Sequence, residues 1–311
     1  MTIAYLGPAG TFTEAALRQI DPTGTDHLPV SSVPAAVAAV REGRAVSAVV
    51  PIENSVEGGV SATLDAVAAG PEIRILAEML VPIRFNVVAR EAKPLSEIRA
   101  VSTHSHAWAQ VRQWTEKNIP QGEYIPASST AAGALGLLAD TGDGVGVPHD
   151  AAICAPTVSA AHPELVVLAE NIGDNPEAVT RFVHLGGPDA VLPERTGADR
   201  TTLVIPLWED RAGALMEILE QFATRGVNLS RIESRPTGNY LGDYFFSVDI
   251  DGHIQDERVA EALVGLRRIC PTTRFLGSYA RADHKPAVVA SHHTDGAFRQ
   301  ARDWVAALRT R

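Results

Sequence analysis

The chain has 311 residues, 45% of them hydrophobic, with 37 acidic against 27 basic side chains and a formal net charge of −10. That length holds two domains with cores of their own, and the composition is that of an ordinary soluble globular protein, not a disordered one. The acidic surplus disfavours a nucleic-acid surface. It also means that an anionic small molecule must be held by local donors against the overall field.

In chain order, residues 1–7 have no basic leader segment and run straight into a strand-like stretch, so no signal peptide is expected. Short β-rich runs at 2–6, 45–52, 73–80, 84–89, 100–102, 144–147 and 166–168 read as strands. Ala-rich periodic stretches at 13–20, 33–43, 60–69, 107–118, 130–139 and 149–155 read as helices. Their alternation predicts an α/β fold with mainly parallel, buried strands up to residue 187. Residues 188–200 break every period and read as a linker.

Beyond the linker the pattern changes. Strands at 202–207, 227–234, 243–251 and 273–279 and helices at 213–225 and 256–268 give the order βαββαβ, a ferredoxin-like arrangement over 201–280. The tail 281–311 ends in a helix over 296–308 whose Phe298, Ala301, Val305 and Leu308 share one face, as a docking helix requires. No apolar run approaches the roughly 20 residues of a membrane span. Cys154 and Cys270 lie far apart without Cys-x-x-Cys spacing, which fits a reducing cytoplasm and argues against disulfides or a thiolate metal site.

Candidate chemistry collects at strand-to-helix junctions. Leu6-Gly-Pro-Ala-Gly-Thr-Phe-Thr-Glu14 is a glycine-bearing turn at a helix N-terminus, where backbone N–H groups favour anions. It lacks the lysine of a phosphate loop and the third glycine of a dinucleotide fingerprint, and it carries Thr11 and Thr13 instead. Glu53, Asn54 and Ser55 follow a buried strand at its carboxyl end, where open α/β sheets place ligands. Asn54 or Ser55 could equally serve only as a helix cap. Thr103-His-Ser-His106 repeats that geometry ahead of Gln110, and Ser128, Ser129 and Thr130 open a further helix. His104 and His106 have no third ligand nearby in sequence, so no metal is expected. Thr180-Arg-Phe182 sits on an apolar strand, with a hydroxyl and a guanidinium side by side; strand alternation turns Arg181 away from Thr180. These features describe a small-anion site without naming a reaction.

Together the motifs resemble those of the prephenate dehydratase family over nearly the whole chain. The opening Gly-Pro-Ala-Gly-Thr-Phe-Thr-Glu, the block Pro51-Ile-Glu-Asn-Ser-Val-Glu-Gly-Gly-Val60 and the Thr-Arg-Phe triplet look like family signatures in the family's order. The second half resembles the family's regulatory ACT domain. Gly213-Ala-Leu-Met216 and Glu233-Ser-Arg-Pro236 are similar to its two phenylalanine-binding segments. There are departures: Thr103-His-Ser-His106 replaces Ser-His-Pro-Gln, Ala178-Val179 stands where an asparagine often precedes the triplet, and Met216 replaces a frequent valine.

The resemblance implies a catalytic domain over residues 1–187, of two α/β lobes like the halves of type II periplasmic binding proteins. It implies cofactor-free, metal-free conversion of prephenate to phenylpyruvate, CO2 and water, feedback inhibition by L-phenylalanine, and a monofunctional chain with no mutase segment ahead. Arogenate dehydratases run the same chemistry on the amino form of the substrate, and a non-catalytic binding protein is the other class open to this pattern. By the resemblance, Thr180 is expected to serve the leaving hydroxyl, relayed through Glu53 or a water because threonine is a poor acid at neutral pH. Thr11, Asn54, Ser55, Thr103, Gln110, Ser129, Thr130, Arg181 and Phe182 make up the substrate site. Gly213, Ala214, Leu215 and Met216, with Asn228, Leu229, Glu233, Ser234, Arg235 and Pro236, make up the effector site. A homodimer through the ACT halves, then a homotetramer, and a cytoplasmic location complete the expectation.

Overall fold

A computed structural model describes every residue except 23, 25, 140–147, 208–210 and 310–311. The first part of the chain forms β1 (Ile3–Leu6), α1 (Phe12–Ile20), β2 (His27–Val30), α2 (Val33–Arg41), β3 (Ser47–Asn54), β4 (Gly58–Gly59), α3 (Ser61–Ala68) and β5 (Arg74–Pro82). There follow β6 (Asn86–Ala89), β7 (Ala100–Thr103), α4 (Ser105–Gln110), α5 (Arg112–Asn118), β8 (Glu123–Pro126), α6 (Thr130–Leu138), β9 (Ala151–Cys154), α7 (Pro156–Ala161), β10 (Val166–Ala169) and β11 (Val179–Gly186). The last part forms β12 (Asp199–Pro206), α8 (Ala214–Ala223), β13 (Leu229–Pro236), β14 (Tyr244–Asp251), α9 (Glu257–Ile269), β15 (Arg274–Ala280) and α10 (Asp295–Arg309).

Three sheets result. One has the order β2-β1-β3-β11-β5, with β4 paired to β3, and β1 runs parallel to β2. Another has the order β10-β6-β9-β7-β8. The third, β13-β14-β12-β15, is antiparallel at all three junctions and backed by α8 and α9, the ferredoxin-like βαββαβ unit. Its core is built from Leu203, Ile205, Ile218, Phe222, Val248, Ile250 and Leu266. The chain divides into two compact units, residues 1–39, 49–58 and 80–182 in one and residues 40–48, 59–79 and 183–311 in the other.

Local sequence explains most of the elements. Helix α1 starts at Thr11, whose hydroxyl accepts from the Glu14 N–H, and buries Thr13, Ala16 and Leu17. Glu14 and Arg18 pair one turn apart at 2.7 Å on its exposed side. Ser129 caps α6 in the same way, accepting from the Ala132 N–H at 2.9 Å. Gly133 lets α6 lie close on β7, because a Cβ there would stand 3.0 Å from the Ser102 carbonyl.

Three expectations are corrected. Residues 149–155, read as a helix, contain strand β9, fully buried between β6 and β7. Alanine favours helix only weakly, and covering both faces of a four-residue strand outweighs it. The helix expected over 107–118 is two, α4 and α5, broken at Val111. Asp174 causes the break: its N–H donates to the Gln110 carbonyl, and its carboxylate accepts from the Gln113 and Trp114 N–H groups. The second sheet is mixed and not mainly parallel: β7 runs parallel to β8 and β9, while β6 is antiparallel to β9 and β10. The strand expected at 144–147 lies outside the described residues.

In the tail, α10 forms as read, but its link to α9 is ionic. Arg302 meets Glu257 at 2.6 Å and Glu261 at 3.5 Å, while Val305 and Leu308 stay exposed. Among the described residues no helix is long and apolar enough to cross a membrane.

Candidate active site

Strands β3 and β11 are neighbours, and their ends bring two motifs together. The Asn54 side-chain amide donates to Thr180 Oγ1 at 2.9 Å. At its other end Asn54 Oδ1 accepts from the Val56 N–H at 2.7 Å and the Glu57 N–H at 3.3 Å. Those bonds orient the amide, so its nitrogen and not its oxygen meets Thr180. A hydroxyl that accepts from an amide has its own proton free to donate elsewhere. Thr180 itself is buried.

One residue along each strand, Arg181 Nε donates to Glu53 Oε2 at 3.0 Å. Side chains alternate along a strand, so this ion pair takes the face opposite the Asn54–Thr180 bond. The Arg181 side chain is 5% exposed and that of Glu53 36%, so Arg181 is held inside while Glu53 opens to solvent. Ser55 fastens the two strands at this end. Its N–H donates to the Val179 carbonyl at 2.9 Å, and its hydroxyl accepts from the Val179 N–H at 3.0 Å. Phe182 is 2% exposed and belongs to the core.

Just before this strand end lies a cavity of about 180 Å³, with Val56, Ile83, Phe85, Ala109 and Ala178 as apolar lining and Gln110, Gln113, Asp174 and Asn175 as polar lining. Gln110 Nε2 donates to the His106 carbonyl at 3.2 Å. Its Oε1 is buried without a hydrogen-bond partner among the described residues, an acceptor that a ligand donor would satisfy. Gln110 was among the residues expected from sequence; Asn175 was not.

The other proposed substrate residues are committed locally. The Thr103 hydroxyl donates to the Ile153 carbonyl at 2.7 Å, and the residue has no solvent exposure. Thr11 donates to the Leu6 carbonyl at 3.2 Å besides capping α1. The Gly10 N–H, one of the loop's candidate anion donors, is taken by Glu14 at 2.5 Å. Burial pushes the Glu14 carboxyl up, but the Gly10 N–H and Arg18 outweigh it and hold the group below its ordinary value. Ser129 and Thr130 sit at the start of α6.

His104 and His106 lie side by side at the start of α4. Their rings stack at 5.2 Å and His106 Nδ1 lies 2.6 Å from Glu57 Oε2. Burial, then the neighbouring His106, holds His104 below the usual imidazole range. This links α4 to the turn that carries Asn54.

In the small domain, Gly213 adopts φ +86° as N-cap of α8, a conformation that suits glycine. Ala214 opens the helix, and Leu215 and Met216 in its first turn are exposed. Strand β13 lies at the sheet edge. Leu229 packs on the core, Ser234 and Pro236 are exposed, and the Asn228 amide donates to Asp251 at 2.7 Å. Glu233 lies 3.9 Å from Arg231, and Arg235 grips Asp65 with two hydrogen bonds, at 3.0 and 2.8 Å.

A hydroxyl–amide–carboxylate cluster on an α/β core, followed by a ferredoxin-like domain, is the architecture of an enzyme joined to a small accessory domain. The chain belongs to the prephenate dehydratase family: the family model matches residues 3–190 and an ACT-domain model matches residues 202–268. A prephenate dehydratase of Amycolatopsis methanolica is 45% identical, covering 98% of this chain and 97% of that one. The crystal structure of a prephenate dehydratase in complex with L-Phe, from Arthrobacter aurescens, is 60% identical with a TM-score of 0.93 and covers 100% of both chains. A protein described as a novel type of quorum quenching acylase, GqqA, shares the fold at 27% identity and a TM-score of 0.77, covering 92% of this chain and all of that one.

Proposed function

We propose that this chain is a prephenate dehydratase that L-phenylalanine inhibits. The observation that carries the reading is the Asn54–Thr180 hydrogen bond, which joins two separate family motifs into one donor. Prephenate loses its ring carboxylate as CO2 and its ring hydroxyl as hydroxide. The electron pair of the broken C–C bond makes the ring aromatic, and a proton converts hydroxide to water. Thr180 donates its hydroxyl proton toward the departing oxygen, and the Asn54 amide stabilises the charge left on Oγ1. Glu53 accepts from Arg181 across the strands, so water is the better-placed relay for restoring the Thr180 proton.

Residues 1–187 act as the catalytic domain, 188–200 as the linker, 201–280 as the effector domain and 281–311 as a docking tail. The effector meets the α8 N-terminus, Gly213 to Met216, and the β13 edge from Asn228 to Pro236, in a homodimer through these domains that pairs into a tetramer. The small substrate and effector are the partners, in the cytoplasm. Support comes from the exposed Leu215 and Met216 and the unpaired strand edge, and from the relative that carries L-Phe.

The test is cofactor-free turnover of prephenate by the purified chain, with and without L-phenylalanine, read as phenylpyruvate formation. Turnover suppressed by phenylalanine upholds both halves of the reading. Turnover on arogenate alone changes the substrate, and silence on both ends the enzymatic reading.

A further inference from the structure

Helix α3 begins directly after the block that carries Glu53, Asn54 and Ser55, yet it lies in the compact unit of the effector domain, residues 40–48, 59–79 and 183–311. Three contacts from that domain reach α3 and its approach. Arg235 on the edge strand β13 holds Asp65 on α3 through a two-pronged hydrogen bond at 3.0 and 2.8 Å. Arg274 on β15 donates to the carbonyl of Ala68, the last residue of α3. The Glu233 carboxylate occupies the space that a side chain at Gly59 would need.

These contacts rest on a rigid base. Arg231, next to Glu233 on the same face of β13, is nearly buried and donates to Asp249 at 2.9 Å and to Ser247 at 2.9 Å. An exposed lysine–carboxylate pair would contribute little. A planar, two-bond arginine–carboxylate fork is directional, and it transmits a rotation or shift of its strand.

We infer that Asp65 is a positioning residue: the Asp65–Arg235 fork transmits the state of strand β13 to α3 and, through the covalent step from Gly59 to Gly58, to the turn that orients Asn54 on Thr180. In this path Arg235 acts through Asp65, which holds its guanidinium with two hydrogen bonds. The inference deepens the proposed phenylalanine regulation and rests on it for the identity of the effector. The path is short, because Asn54 Oδ1 accepts from the N–H groups of Val56 and Glu57, immediately before Gly58.

The experiment compares the full-length wild type, Asp65→Asn and the exchanged pair Asp65→Arg with Arg235→Asp. Calorimetry measures L-phenylalanine binding, steady-state kinetics measures its inhibition of prephenate turnover, and hydrogen exchange follows the amides of 54–68. Wild-type coupling between effector and substrate falls in the range of about 5–150-fold. Asp65→Asn binds phenylalanine with its affinity kept, exchanges faster at 54–68, and brings the coupling factor close to 1; the exchanged pair restores part of it. Full inhibition of Asp65→Asn overturns the inference, and so does loss of phenylalanine binding, which would make the fork part of the ligand site. If the wild type neither binds nor responds to phenylalanine, the effector reading fails. The fork is then judged by exchange alone, where unchanged protection at 54–58 in Asp65→Asn overturns it.

Discussion

Asn54 and Thr180 stand 126 positions apart in the chain, and the side-chain amide of one donates to the hydroxyl of the other at 2.9 Å. The hydroxyl that accepts from Asn54 keeps its own proton to donate elsewhere, and in the proposed function that proton goes to the departing oxygen.

Replacing Thr180 with Ala therefore lowers kcat by about 10²–10⁴-fold. The loss of one hydrogen bond, about 0.5–1.5 kcal/mol, shifts the melting temperature by roughly 1–6 °C, and Thr180→Ser keeps most of the activity. Initial rates of phenylpyruvate formation, with a thermal melt as control, decide it. A Thr180→Ala enzyme with near wild-type kcat removes the residue from the mechanism.

Thr103 is predicted to behave in the opposite way. Its hydroxyl donates to the Ile153 carbonyl at a site without solvent exposure. Thr103→Val then destabilises the fold by about 1–3 kcal/mol while kcat/KM of the folded enzyme is unchanged. Urea unfolding beside steady-state kinetics separates the two effects, and a fall in kcat/KM at full stability would return this hydroxyl to the substrate.

Glu14 supplies a pH dependence. Burial raises its pKa, but the Gly10 N–H and Arg18 outweigh burial and leave the folded value below the ordinary 4.5. A carboxyl depressed on folding contributes stability that is complete above its unfolded pKa. The contribution is lost as pH falls from about 4.5 through the folded value. Unfolding free energies measured from pH 6 down to about 3 should therefore drop more steeply for the wild type than for Glu14→Gln. Parallel curves would show that the loop does not depend on this charge.

Cys154 should resist modification. Burial pushes its thiol up to about 12, and the side chain has no solvent exposure. Cys270 is buried as well. An aromatic disulfide reagent at pH 8 should titrate neither thiol until denaturant is added, since the thiolate is the reactive form. Rapid reaction of one thiol in the folded protein would contradict the packing around β9 and α9.

Much of this was legible in the chain itself. The βαββαβ order beyond residue 199 could be read because each of its strands and helices carries its own period and turn signals. Segment 149–155 could not, since a run such as Ala151-Ala-Ile-Cys154 satisfies a helix or a doubly covered strand equally well. The break between α4 and α5 was equally hidden, because the carboxylate that restarts the helix comes from Asp174, about sixty positions downstream.

The sequence by itself determined the family, the order of domains and the residue types of the candidate site, because motif spacing and hydrophobic period are local properties of the chain. Strand alternation alone even separated Arg181 from Thr180. Only the tertiary structure decided which partner each side chain takes. Asn54 meets Thr180, Glu53 goes to Arg181, Thr103 turns its hydroxyl into the core, and Arg235 reaches back to Asp65. The physical reason is that a hydrogen bond is specified by distance and direction between atoms, and for residues far apart in sequence those are set by how strands β3, β11 and β13 are placed within their sheets.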